Sequence, residues 1–131
     1  MRIVLDTSAV VAVVLGEPER DAIVRATRGA GLVAPASVPW EVGNALIVAH
    51  RRGRIDERQL IDAWALFMEI PIRTVEVSMD AALRIAALTR SYAYDAYMLA
   101  AASRAHAPLL TLDHRLRQVA AEVGVEVLEV T

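Results

Sequence analysis

The sequence predicts a single-domain α/β fold: a three-layer α/β/α sandwich around a central, mostly parallel five-stranded sheet. Three observations support this. Short, wholly apolar, β-rich runs alternate with longer helical patterns, as expected for strands buried on both faces and joined by helical crossovers. The chain has 131 residues, 56% of them hydrophobic, which suits one domain (residues 1–131) with a sizeable core. Acidic residues stand just beyond strand-like runs, at the end of an open parallel sheet where ligands bind.

The apolar runs place strands near residues 2–6, 32–34, 73–77, 109–112 and 126–128. A short first helix covers 8–15 and ends at Gly16. Pro18 opens the second, which runs toward Arg28 before Gly29 and Gly31 stop it. Pro39 suits the first helical position of a third helix, which continues to Arg52 and ends at Gly53. Asp56 caps a fourth, with Gln59 completing a capping box, and Pro71 closes it. Ser78 caps a fifth that reaches about Arg90. A sixth spans about Tyr94 to His106 with Pro108 beyond it, and a seventh follows Asp113 and ends at Gly124. Residues 39–70 thus hold two helices with no strand between them, a hairpin of the kind that projects from a sheet or offers a partner surface. No internal repeat or linker interrupts the pattern.

Four acids fall where this architecture would gather them. Asp6 closes the run Ile3-Val4-Leu5, and Asp113 follows Leu109-Leu110-Thr111-Leu112. Glu41 and Asp95 lie near the starts of helices. If the first and fourth strands are neighbours, Asp6 and Asp113 face one crevice. Carboxylates held together repel one another and cost stability unless a cation neutralises them, and hard divalent cations such as Mg²⁺ and Mn²⁺ prefer oxygen ligands. Thr7, Ser8 and Thr111 add hydroxyls beside the acids. Asn44, three residues after Glu41, shares its helix face and suits supporting a ligand or orienting Glu41. Taken singly, Asp6 and Asp113 also read as helix caps, and Glu41 and Asp95 as first-turn acids complementing a helix dipole. The joint pattern favours a metal-dependent enzyme acting on phosphate.

Composition removes several alternatives. The chain has no cysteine, which excludes disulfides, thiolate metal sites and cysteine nucleophiles. It has no lysine, which excludes a P-loop lysine and Schiff-base chemistry. The histidines His50, His106 and His114 show no HxH or HExxH spacing. No stretch is long enough to span a membrane, and no signal-peptide cleavage site is evident, so a soluble cytoplasmic protein is expected. The formal net charge is -2, so nucleic acid must be held by a local patch. Arg51, Arg52 and Arg54 form the leading cluster, with Arg25, Arg28 and Arg115 behind it.

The segments Ile3-Val-Leu-Asp6-Thr-Ser8-Ala, Pro39-Trp-Glu41-Val-Gly-Asn44-Ala-Leu, Tyr94-Asp95-Ala-Tyr-Met-Leu-Ala-Ala and Thr111-Leu-Asp113-His-Arg-Leu resemble the PIN-domain ribonucleases. Within that family they are similar to VapC-type toxins of toxin–antitoxin pairs. Order and spacing together cover nearly the whole chain. The resemblance implies an acidic quartet of Asp6, Glu41, Asp95 and Asp113. Asp6 and Asp95 would be the main Mg²⁺ (or Mn²⁺) ligands, with Asp113 and Glu41 completing or water-bridging the site. It also implies a homodimer, an RNA substrate, and an antitoxin that sets a basic side chain among the acids. A non-toxin RNA-processing nuclease of the same family and a non-catalytic module that receives a basic peptide in its acidic crevice are the alternatives.

Overall fold

The computed structural model describes residues 1–130. Strand β1 (Arg2–Leu5) is followed by helices α1 (Thr7–Val14) and α2 (Arg20–Thr27), then β2 (Gly31–Pro35). The helical hairpin α3 (Val38–Arg51) and α4 (Glu57–Glu69) leads to β3 (Ile72–Val75). Then come α5 (Met79–Thr89), α6 (Ala93–Ala105), β4 (Leu109–Leu110) and α7 (His114–Glu122).

The sheet is entirely parallel, in the order β3-β2-β1-β4. It has four strands rather than five. The expected strand at 126–128 is reduced to a single parallel bridge, Leu109↔Val127. Its two bonds are Leu109 N–H to the Glu126 carbonyl at 2.8 Å and Leu128 N–H to the Leu109 carbonyl at 2.9 Å. The reason lies in β4, which is only two residues long: the chain leaves the sheet at Thr111, whose hydroxyl is bonded to Asp6, so it has no length to offer a further strand.

From β1 the chain steps outward to β2 and β3, then returns across the sheet to β4 on the other side of β1. The direction of winding therefore reverses between β1 and β4. Right-handed crossovers assign α1–α4 to one face and α5–α6 to the other. Helix α6 accordingly packs on every strand. It can do so closely because its buried surface is nearly all alanine: Ala96, Ala100, Ala101, Ala102 and Ala105 beside Met98 and Leu99. Ile3, Val4, Leu109 and Leu110 at the sheet centre are fully buried.

The hairpin does not stand clear of the body. Val42 and Leu46 of α3 and Ala63 and Phe67 of α4 join the main core, and both helices pack on α1. Its outer face leaves Trp40, Ile61 and Met68 exposed. The expected capping box at the start of α4 is present. Asp56 Oδ1 accepts from Gln59 N–H at 2.8 Å, and Gln59 Oε1 accepts from Asp56 N–H at 2.8 Å. Among the described residues no helix is long and apolar enough to cross a membrane.

Asp56→Ala removes the side-chain half of that box. It should destabilise the fold by about 1 kcal/mol in a urea melt without changing the far-UV spectrum. A midpoint equal to the parent's would show that packing on α1, not the cap, sets where α4 begins.

Candidate active site

The pairing of β1 with β4 decides the site. Leu5 is in register with Leu110, and Asp6 N–H extends the ladder by donating to the Leu110 carbonyl at 3.0 Å. This sets Asp6 beside Thr111. Asp6 is 7% exposed and Thr111 is wholly buried. A carboxylate so enclosed needs donors. Its Oδ2 accepts from Ser8 Oγ at 2.6 Å, from Thr111 Oγ1 at 2.8 Å and, more weakly, from Ser8 N–H at 3.4 Å. Each hydroxyl spends its one proton on Asp6 and accepts a backbone N–H in return: Leu112 onto Ser8 Oγ and Asp113 onto Thr111 Oγ1, both at 3.0 Å. The 3.3 Å contact between the two hydroxyl oxygens then carries no proton of its own. Asp6 also serves as the N-cap of α1, so the cap role and the site role coincide.

Glu41 enters from the first turn of α3. Ser37 Oγ donates to its Oε2 at 2.7 Å and Thr7 Oγ1 to its Oε1 at 3.2 Å. Burial raises its pKa above the usual 4.5; the neighbouring charges of Asp6 and Asp95 push the same way, against the hydrogen bonds from Ser37 and Thr7. Asp95 enters from the first turn of α6. Its pKa is also raised, first by burial and then by the charges of Asp113 and Asp6, with Arg115 pulling it down. Asp113 is exposed and caps α7, its Oδ1 accepting from Arg115 N–H at 2.8 Å and Leu116 N–H at 3.2 Å. Glu41 and Asp95 each feel Asp6, Glu41 feels Asp95, and Asp95 feels Asp113, so the four acids share one field.

The supporting residues divide. Thr7, Ser8 and Thr111 hydrogen-bond to the acids. Asn44 lines the same cavity as Glu41, but no hydrogen bond joins the two among the described residues. The orienting hydroxyl is Ser37, which the sequence reading missed. Its signal was the i, i+4 spacing to Glu41. Ser37 is the N-cap of α3 yet makes no side-chain cap bond, because its hydroxyl goes to Glu41 instead. The arginine cluster lies elsewhere. Arg51 is ten residues beyond Glu41 on the same helix, about 15 Å along its axis. Arg52 continues away, and Arg54 is paired with Glu17 at 3.1 Å. Arg115 is the basic residue beside the acids, its guanidinium 4.8 Å above the Tyr92 ring.

Carboxylates and hydroxyls, with no thiol or imidazole among them, are donors for a hard divalent cation. Among the described residues no three acidic or histidine side chains stand close enough to enclose an ion by themselves. A hard cation at these carboxylates would keep several of its waters.

A family model described as the PIN domain matches residues 3–122. The chain belongs to the PIN-domain family. PIN domains are nucleases, hydrolases of phosphodiester bonds. Solved structures share the fold. PAE2754 from Pyrobaculum aerophilum superposes with a TM-score of 0.71 at 22% identity, over 91% of this chain and 79% of that one. VapC20 from Mycobacterium tuberculosis, a sarcin-ricin loop cleaving toxin, gives 0.66 at 16% identity, over 97% and 98%. VapBC2 from Rickettsia felis, solved bound to a DNA fragment from their promoter, gives 0.68 at 12% identity, over 100% of both. At these identities the likeness is one of fold. No curated protein sequence matches significantly.

A raised carboxyl pKa penalises the folded state. The penalty is absent below the unfolded value, near 3.8 for Asp95, grows as pH climbs from there to the folded value, and is complete above it. Asp95→Asn removes that penalty. In chelator at neutral pH the variant should be at least as stable as the parent, by about 0.5–1 kcal/mol because water still reaches the group. The advantage should shrink as pH falls toward 4. Thermal melts across that range check both. A variant that melts well below the parent at neutral pH would make Asp95 a structural helix-start residue.

Proposed function

We propose that this protein is a Mg²⁺- or Mn²⁺-dependent endoribonuclease and the toxin of a type II toxin–antitoxin pair. The observation that carries the proposal is the shared field of Asp6, Glu41, Asp95 and Asp113 at the β1–β4 switch point, in a chain of the PIN family. In this reading Asp6 and Asp95 hold the cation, with Glu41 and Asp113 completing the set directly or through water. The cation, when bound, shields charge on the scissile phosphate and makes a bound water acidic enough to attack.

The side chains have separable tasks. Ser8 and Thr111 hold Asp6 Oδ2, which keeps the carboxylate from rotating and would fix its orientation toward a cation. Glu41 is gripped at both oxygens by Ser37 and Thr7, and its raised pKa makes it a better proton acceptor than an ordinary carboxylate. It is placed to orient the attacking water and take its proton. Arg115 is the guanidinium nearest the acids and suits a phosphate oxygen of the substrate. We assign Arg51, Arg52 and Arg54 a remoter role on a longer RNA.

The toxin role is supported by the likeness in fold to VapC20 and VapBC2 and by the compact chain. An antitoxin would neutralise the crevice by inserting an arginine or lysine among the acids, replacing the charge of the cation. A homodimer is proposed from the apolar residues exposed on α4 and α5, Ile61, Met68, Leu83 and Leu88.

Incubation with total cellular RNA tests the activity. The parent should yield discrete fragments in millimolar Mn²⁺ or Mg²⁺ and none in excess chelator. Asp6→Asn should fall to background while melting as a folded protein. Undiminished cleavage in chelator or in that variant would sink the proposal, and a DNA control excludes a nuclease of the other class. Neutralising Arg115 should weaken binding and flatten its salt dependence by about one phosphate contact. An unchanged salt slope would remove Arg115 from the RNA path.

A further inference from the structure

The chain has few aromatic residues, two tryptophans, three tyrosines and one phenylalanine, and their distribution is uneven. Trp64 and Phe67 pack together within α4, with ring centroids 5.2 Å apart, and support the core. The three exposed rings adjoin the acids. Trp40 precedes Glu41 and is 80% exposed; Tyr94 precedes Asp95 and is 56% exposed; Tyr92 is 70% exposed and lies under Arg115. An exposed tryptophan withholds a large apolar surface from burial, so exposed rings next to the acids in sequence are not what packing alone would select.

Trp40 and Tyr94 line one cavity of about 380 Å³, together with Thr7, Glu41, Asn44 and Ala45. Its lining therefore combines two aromatic side chains, the carboxylate of Glu41 and the amide of Asn44, which can both donate and accept. Tyr94 is held in place by an edge-to-face contact with Tyr97, centroids 5.5 Å apart. Trp40 follows Pro39 in the first turn of α3, on backbone that proline stiffens. Flat apolar walls beside a polar amide suit a planar heterocycle with hydrogen-bonding edges, and sharing Glu41 with the acid cluster sets that heterocycle next to the phosphate being cut.

We propose that the Trp40–Tyr94 cavity receives one unpaired nucleobase of the RNA, stacked on these rings and read at its edge by Asn44. A base inside a duplex shows the protein no free face, whereas loops, bulges and ends can splay a base onto an aromatic side chain. This inference rests on the nuclease reading and deepens it by naming the residues that hold and read the base.

Trp40 reports on its own occupancy. In Trp64→Phe it is the sole tryptophan, and adding Asp95→Asn keeps the RNA whole. A short single-stranded RNA of mixed sequence should quench its fluorescence, and the blunt duplex of the same sequence should not. Trp40→Ala should weaken single-strand binding by about 5- to 100-fold, and Trp40→Phe should restore most of it, because the face and not the indole N–H is what stacks. All variants should melt like their background, since the ring is exposed. In the otherwise unaltered enzyme, Asn44→Ala should change which nucleotide precedes the cut without abolishing cutting.

Equal affinity of the background protein for single strand and duplex, or single-strand binding unchanged in Trp40→Ala, would overturn the cavity's role. So would fluorescence that responds to protein dilution but not to RNA, which would make the rings a contact between copies. The nuclease reading fails separately, if the parent cuts no RNA in metal. Quenching by single strand without any cleavage would keep the platform and remove the chemistry.

Discussion

The interaction on which the rest depends is the set of bonds tying the end of β1 to the end of β4 through Asp6 Oδ2, Ser8 Oγ and Thr111 Oγ1. It serves the fold and the site at once. As structure, it completes the short β1–β4 pairing and caps α1. As chemistry, it surrounds an enclosed carboxylate with donors and fixes its position, at the place where the winding of the sheet reverses. The hydroxyls pass the constraint outward, since each also accepts a backbone N–H of the turn that carries Asp113. One oxygen of one aspartate thus positions two strands, a helix start and a loop.

Around that fixed charge the fold adds others that it does not neutralise. Glu41 and Asp95 are each partly desolvated, and each lies in the field of Asp6. Arg115 offsets part of this at Asp95, while its guanidinium lies over Tyr92 rather than in a salt bridge with an acid. A structure selected for stability alone would replace such a cluster by apolar residues or supply it with a paired base. Uncompensated like charge at a switch point is instead the signature of a site completed by a cation from solution or by a basic partner. The same logic covers both halves of the proposed biology. The cation that would enable cleavage and the basic side chain that would block it answer to one electrostatic deficit.

Much of this was legible in the sequence, for physical reasons that can be named. Strands β1, β2 and β4 were readable because burial makes their inner residues apolar, and helix starts because caps are local: Asp56 with Gln59, Ser78 and Asp113 all cap as their spacing predicts. The acids were readable because each sits at a strand end or helix start, so local pattern and global topology point the same way. What was not legible depended on tertiary distance. The bridge at Val127 could not be told from a strand, because the brevity of β4 follows from the bond between Thr111 and Asp6, residues far apart in the chain. Ser37 went unread because its hydroxyl serves Glu41 rather than the helix end that its position would lead it to cap. Arg51, Arg52 and Arg54 stood out as a run, but a run says nothing of where a helix points. The solitary Arg115 lies at the site because the β1–β4 pairing brings the start of α7 there.

The central claim is that the four acids form one electrostatic unit organised by Asp6. Carboxyl-carbon NMR titration of Glu41 and Asp95 in the metal-free protein tests it most directly, in the parent and in Asp6→Asn. The account predicts that both groups titrate above their ordinary values of 4.5 and 3.8 in the parent, and that both move down when the charge on Asp6 is removed. Ordinary values in the parent, or raised values indifferent to the loss of that charge, would contradict it.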